Sequence, residues 1–204
     1  GLIALLILFQ PELRRILERM GSSFHSGKAA SSTAMDMAIA QTVLACSDMS
    51  ASRTGALIVF EREILLDDMV RSGTVLDAAV SSELLKNIFF VKAPMHDGAV
   101  IIRGNRVTAA TCYLPLSDNM RISKELGTRH RAAVGISEVT DSLTIVVSEE
   151  TGRVSLVEDG SIRRISDAES LRRGLAAMER PEAVGANLFK IWKGKRKNER
   201  EAVK

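Results

Sequence analysis

The run Ala56-Leu57-Ile58-Val59-Phe60, directly after Gly55, constrains the fold more than any other stretch of this chain. Its apolar residues are consecutive, which makes it long enough for a buried strand and too short for a good helix. Further strands follow at regular intervals. Ala99 to Ile102 and Val107 to Tyr113 flank Arg103-Gly104-Asn105-Arg106, a β-hairpin pattern. Leu143 to Val147 and Arg153 to Val157 flank Glu149-Glu150-Thr151-Gly152, a second hairpin, and Asp159-Gly160 turns into a strand over Ile162 to Ile165. Helical spacing runs between them. A helix from Ser31 or Ser32 puts Met35, Ala38, Ile39, Val43 and Cys46 on its inner face. Others are expected over Leu76 to Asn87, over about Arg129 to Ser137, and over about Asp167 to Glu179, capped by Ser166 with Glu169 three residues on. The expected fold is α/β with one core: a mixed, mainly antiparallel sheet surrounded by helices, preceded by the end of a transmembrane helix.

That last element rests on the first nine residues, Gly1 to Phe9, which are uncharged. Spanning a bilayer takes about 20 apolar residues, so 1–9 reads as the end of a truncated span, with a buried N-terminal helix as the alternative. Arg14, Arg15 and Arg19 follow it, and basic flanks favour the cytoplasmic side. Leu13, Ile16, Leu17 and Met20 continue at helical spacing, so 10–29 reads as a juxtamembrane helix and linker. Residues 30–180 then form the globular domain and 181–204 a basic tail. This division places the body of the protein in the cytoplasm, at the cell membrane.

Charge narrows the partners. From Lys190 to Lys204 there are seven Lys or Arg against two Glu, a balance of +5, in a chain whose net charge is +3; the other 189 residues therefore carry −2. The basic character belongs to the tail. With aromatics at only 4%, the composition argues against a nucleic-acid platform built on stacked rings. Cys46 and Cys112 fit neither a disulfide framework nor a metal-ligand spacing and read as buried thiols.

Three short segments carry the chemistry. In Met95-His96-Asp97-Gly98-Ala99, a carboxylate before a strand and next to a glycine can hold a divalent metal while backbone lies close to a ligand; a plain turn is the competing reading. In Gly127-Thr128-Arg129-His130-Arg131, residues at a helix start combine free N–H groups, a hydroxyl and guanidinium forks suited to phosphate. As residues i and i+2, Arg129 and Arg131 cannot share one helical face, so one binds ligand while the other points to structure or a neighbouring subunit. His130 reads as structural more readily than as a base. Ser148-Glu149-Glu150 ends a strand, where successive side chains alternate and one carboxylate can face a site. No Gly-rich phosphate loop, dinucleotide fingerprint, His-Glu-x-x-His pair or Gly-x-Ser-x-Gly elbow is present.

Taken in order, these segments resemble the diadenylate cyclase family, whose domain makes cyclic di-AMP from two ATP. Arg53 to Phe60, His96 to Ile102, Thr111 to Ser117, Gly127 to Glu138 and Val146 to Glu150 carry the resemblance, and Phe9 to Arg15 looks like the juxtamembrane segment of the membrane-anchored branch. Met95 stands where Leu is usual, and Asp141-Ser142 where Asp-Ala is common; both changes leave the polar residues in place. The resemblance implies that Asp97 binds the metal and helps activate the ribose 3′-hydroxyl, with Arg129 as its catalytic partner. It implies that Gly98 lets the ribose approach, that Thr128, Arg129 and Ser148 hold the triphosphate with Glu149 among the ATP contacts, and that Tyr113 and Leu114 form the adenine pocket. Glu150 joins the metal shell with His96 as a further ligand, the metal being Mg or Mn, with Co a third candidate. It further implies a face-to-face homodimer, and as partners a membrane-bound regulator and a phosphoglucosamine mutase. Two other functions remain to be weighed: a non-catalytic, membrane-tethered module that senses a nucleotide, and a membrane scaffold whose phosphate site is incidental.

Overall fold

A computed structural model describes residues 28–119 and 126–177. The apolar start, the juxtamembrane helix and the basic tail lie outside the described residues. Among those described, no helix is long and apolar enough to cross a membrane.

The chain runs α1 (Lys28–Ala51), β1 (Ala56–Glu61), α2 (Asp67–Ser72), β2 (Thr74–Ala79), α3 (Ser82–Ile88), β3 (Ala99–Arg103), β4 (Arg106–Cys112), α4 (Thr128–Val139), β5 (Leu143–Val147), β6 (Val154–Glu158), β7 (Ser161–Ile165) and α5 (Ala168–Ala176). The strands form one sheet in the order β2-β4-β3-β1-β5-β6-β7. Only β1 and β3 pair in parallel; every other neighbour is antiparallel. The mixed, mainly antiparallel sheet expected from the strand pattern is therefore present.

The central position of β1 follows from its sequence. Ala56, Ile58 and Phe60 face one core, shared with Ala38, Ile39 and Val43 of α1 and Leu171 and Leu175 of α5. Leu57 and Val59 face a second core, built against Ala133, Val134 and Ile136 of α4. Helices thus cover both faces, and a strand buried on both sides reads as a continuous apolar run, here Ala56 to Phe60. The inner face of α1 is the expected one, with Met49 added and Met35 partly buried, and the helix begins at Lys28 rather than at Ser31 or Ser32. Cys46 and Cys112 are free and buried; burial pushes the Cys46 thiol up to about 12.

Two expectations fail. Leu76 to Asn87 is not one helix: Thr74–Ala79 is edge strand β2, and α3 starts only at Ser82. The helix formers there are overruled by pairing with β4 and by the bonds from Arg106 to the Asp77 carboxylate and carbonyl. The cap of α5 is also displaced. Asp167, not Ser166, is the N-cap: its Oδ1 accepts from Ser170 N at 2.7 Å, while the Ser166 hydroxyl donates to Oδ2 at 2.6 Å.

At the edge of the sheet away from Asp97, the side chain of Glu61 is 2% exposed. Its two oxygens accept from Arg103 Nε at 2.5 Å and Nη2 at 2.8 Å, and Oε2 also accepts from Leu66 N at 2.8 Å. This buried charge is matched by bonds on every side.

Candidate active site

Strand direction collects the three segments. β1 and β3 run parallel, so Gly55 and Asp97-Gly98, just before them, share one edge of the sheet. β5 and β4 run the other way, so Ser148 and Tyr113, just after them, reach the same edge. The first turn of α4 joins them there, where Arg129 Nη1 bonds the Glu149 carboxylate and Nη2 donates to the His96 carbonyl at 3.5 Å.

A cleft of about 200 Å³ lies between α4 and the loop after β5, lined by Gly127, Thr128, Arg129, His130, Val147, Ser148, Glu149 and Glu150. Gly127 caps α4 with no side-chain bond to the helix N-terminus, and helix geometry leaves the first amides without intrahelical acceptors. Arg129 Nε is buried with no hydrogen-bond partner. A bare helix N-terminus beside a guanidinium favours phosphate.

The two arginines separate as their spacing requires. Arg129 faces the cleft. Arg131 turns to the segment after β4, donating through Nη2 to the Ser117 carbonyl at 3.0 Å, while Ser117 N donates to the Arg131 carbonyl at 3.0 Å. His130 is buried, and burial lowers its pKa below the ordinary value; a neutral, enclosed imidazole suits packing rather than proton transfer.

Asp97 is exposed, and its Oδ1 accepts from the Gly98 amide at 3.0 Å. Gly98 has φ +97°, and a Cβ there would lie 2.8 Å from the carbonyl carbon of Thr111. Glycine is thus required by the backbone and by β4, whatever the ligand does. His96 Nδ1 lies 2.6 Å from the Ala93 carbonyl, an acceptor, so Nδ1 is the donor of this bond and Nε2 is the nitrogen turned away from it. Glu149 is taken up by Arg129, whereas Glu150 is exposed at the cleft. Ser148 Oγ accepts from Thr151 N at 3.2 Å, shaping the turn. Tyr113 is 76% exposed, and its backbone N–H donates to Ser72 Oγ at 2.9 Å, while Leu114 packs on the second core.

Among the described residues, no three His, Cys, Asp or Glu side chains converge on one metal position. His96, Asp97 and Glu150 are brought to one edge without forming a closed cage. Asp97 and Glu150 still suit a hard divalent cation, which can be held by one or two carboxylates with the remaining ligands from water and substrate phosphates.

Gly55 lies within the segment Arg53 to Phe60 that carries the resemblance, but its residue type alone assigns it no role in the site. A Cβ there would stand 2.5 Å from Arg129 Nη1 and 2.8 Å from Glu149 Oε2. Only the folded packing reveals it.

A sheet edge that joins an open cleft at a helix N-terminus to an exposed carboxylate fits a nucleotide-binding α/β domain. The family model described as DisA bacterial checkpoint controller nucleotide-binding (DAC) matches residues 43–162, and the chain belongs to this family, the diadenylate cyclases. It is 48% identical over 200 residues to the cyclic di-AMP synthase CdaA of Bacillus subtilis, covering 96% of this chain and 73% of that protein. It is 46% identical over 197 residues to a diadenylate cyclase of Listeria monocytogenes, covering 95% and 72%. A crystal structure of a double mutant of DacA from Staphylococcus aureus superposes with a TM-score of 0.68 at 49% identity, over 70% of this chain and 95% of that one. A structure titled as a hypothetical membrane spanning protein from Bacillus cereus gives 0.61 at 44% identity, over 62% of each.

Proposed function

We propose that this chain condenses two ATP into cyclic di-AMP and two pyrophosphates. The observation that carries the reading is the cleft that joins the bare N-terminus of α4 to the Arg129 guanidinium and Ser148, on the sheet edge that also exposes Asp97. In each half-reaction a ribose 3′-oxygen attacks the α-phosphorus of the facing ATP. The new P–O bond forms as the bond to pyrophosphate breaks, and the hydroxyl proton leaves toward the Asp97 carboxylate.

The α4 amides, Thr128, Arg129 and Ser148 hold the triphosphate and stabilise charge on it as pyrophosphate departs. Glu149 meets the nucleotide through its hold on Arg129. The exposed Tyr113 ring and the Leu114 backbone receive adenine, and Gly98 leaves the ribose close to the chain. A divalent metal, Mg or Mn with Co a third candidate, is held by Asp97 with Glu150 and His96 as further ligands, and supplies Lewis-acid charge at the phosphates.

Each chain offers one such edge, and a ring closed by two identical bonds needs two ATP facing each other, so the active unit is a homodimer. Residues 30–180 form the cyclase domain, and the apolar residues before it tether it to the membrane with the domain in the cytoplasm. Incubation with ATP and each metal, followed by mass identification of the product, tests the reading. Cyclic di-AMP is expected; bound but unchanged ATP would favour a nucleotide-sensing module instead.

A further inference from the structure

We propose that Gly55 is a positioning residue for the nucleotide, because the space where its side chain would stand is the seat of the Arg129–Glu149 pair. This rests on the reading of the cleft as the triphosphate site. Gly55 belongs to the turn before β1, Arg129 to the first turn of α4, Glu149 to the loop after β5, and the His96 carbonyl to the turn before β3. Arg129 thus bonds the loop after β5 and the turn before β3 to α4, and lies beside Gly55. Its Nη1 and Nη2 are committed to Glu149 and His96, which holds the plane of the group and leaves Nε without a protein acceptor. A planar fork held through both of its terminal nitrogens can present its remaining N–H donors only within the plane so fixed.

The room at Gly55 is what permits this pose. A Cβ would meet Arg129 Nη1 at 2.5 Å, Glu149 Oε2 at 2.8 Å and Arg129 Cζ at 3.0 Å, all at the ends of flexible side chains and none in the backbone. Gly55 is also absent from the positive-φ residues, so alanine meets no backbone strain there. The molecule can relieve the overlap by swinging the pair away, without disturbing Ala56 or the strand. Gly55→Ala therefore separates the position of Arg129 from the stability of the domain.

The test uses Gly55→Ala, Glu149→Ala and the double variant, with ATP affinity by calorimetry, steady-state kinetics and thermal melting. A misplacement of about 1 Å costs up to roughly 100-fold in turnover. Gly55→Ala is accordingly expected to lower kcat/KM for ATP by roughly 10- to 100-fold and to weaken ATP binding, with Tm close to the wild type. In the Glu149→Ala background the same methyl group has vacated space to push Arg129 into. The loss there should be smaller, so the two substitutions should be non-additive. Unchanged ATP affinity and kcat/KM in Gly55→Ala would overturn the proposal, as would full additivity. So would a collapsed melting transition, because the space would then serve the fold rather than the nucleotide. If the wild type binds ATP but makes no cyclic product, the proposed reaction fails, while the calorimetry still decides the role of Gly55.

Discussion

The Arg129 guanidinium is bonded to the Glu149 carboxylate across the mouth of the cleft, joining the first turn of α4 to the loop after β5. With its other contact to the His96 carbonyl, the pair spans the three segments that carry the chemistry. Arg129→Lys removes the planar fork and leaves a point charge that cannot serve Glu149, His96 and a phosphate together. The expected result is a fall of roughly 10- to 100-fold in kcat/KM, on the scale of one lost transition-state hydrogen-bond donor. Circular dichroism should show unchanged secondary structure, since Arg129 leaves the first turn of α4 and belongs to neither apolar core.

Asp97 differs from Arg129 in being exposed, with the adjacent Gly98 amide bonded to its Oδ1. Asp97→Asn keeps the shape and that bond while removing the negative charge a metal needs. Product formation should drop by at least about 100-fold, while ATP still binds through α4 and Ser148. Turnover assays and calorimetry on the same preparation check this, and full turnover would refute the role given to Asp97.

Part of this was legible before any coordinates. β1, the β3–β4 and β5–β6 hairpins and the Asp159-Gly160 turn announce themselves because burial and turn chemistry act over a few neighbouring residues. The turn before β7 has positive φ at both residues, +48° at Asp159 and +69° at Gly160, as a tight hairpin requires. β2 was hidden because its state depends on β4, some thirty residues on, rather than on its own helix-favouring letters. The same holds at the site. Asp97, Thr128, Arg129 and Ser148 stand out by residue type and by their place at element ends. Gly55 could not, since its contribution is an absence of atoms that matters only once Arg129 and Glu149 are in place.

A dimeric active unit predicts a concentration dependence that no single-chain enzyme shows. Specific activity should fall on dilution in step with the loss of dimer measured by sedimentation or light scattering, because a monomer holds one ATP and cannot close the ring. Constant specific activity in samples proved monomeric would contradict this.

Glu61 makes the far edge of the sheet the sensitive point for stability. Its carboxylate is enclosed, and Arg103 supplies two of its three hydrogen bonds. Arg103→Ala leaves a buried charge with one N–H for company. Arg103 itself is 42% exposed, so the cost should sit below that of a fully buried pair, at about 2 kcal/mol in urea unfolding. Glu61→Gln, which removes the charge that needs a partner, should make the loss of Arg103 less damaging. Activity per folded molecule should stay unchanged, since this network lies opposite Asp97.

The cap of α5 gives stability a dependence on acid pH. Three donors converge on Asp167: the Ser166 hydroxyl first, then the Ser170 amide and the Ser170 hydroxyl. Together they favour the ionised carboxylate and pull its pKa from 3.8 down to about 2. A folded-state pKa below the unfolded one means the unfolded chain binds the proton more readily, so the contribution is complete above about pH 4 and is lost as pH falls toward 2. Asp167→Asn keeps an acceptor for the Ser170 amide but has no charge to titrate. Its melting temperature should therefore fall less steeply than the wild type's between pH 4 and 2. Parallel curves for the two proteins over that window, or an Asp167 carboxyl titration by NMR that stays near 3.8, would show that the cap does not hold the charge.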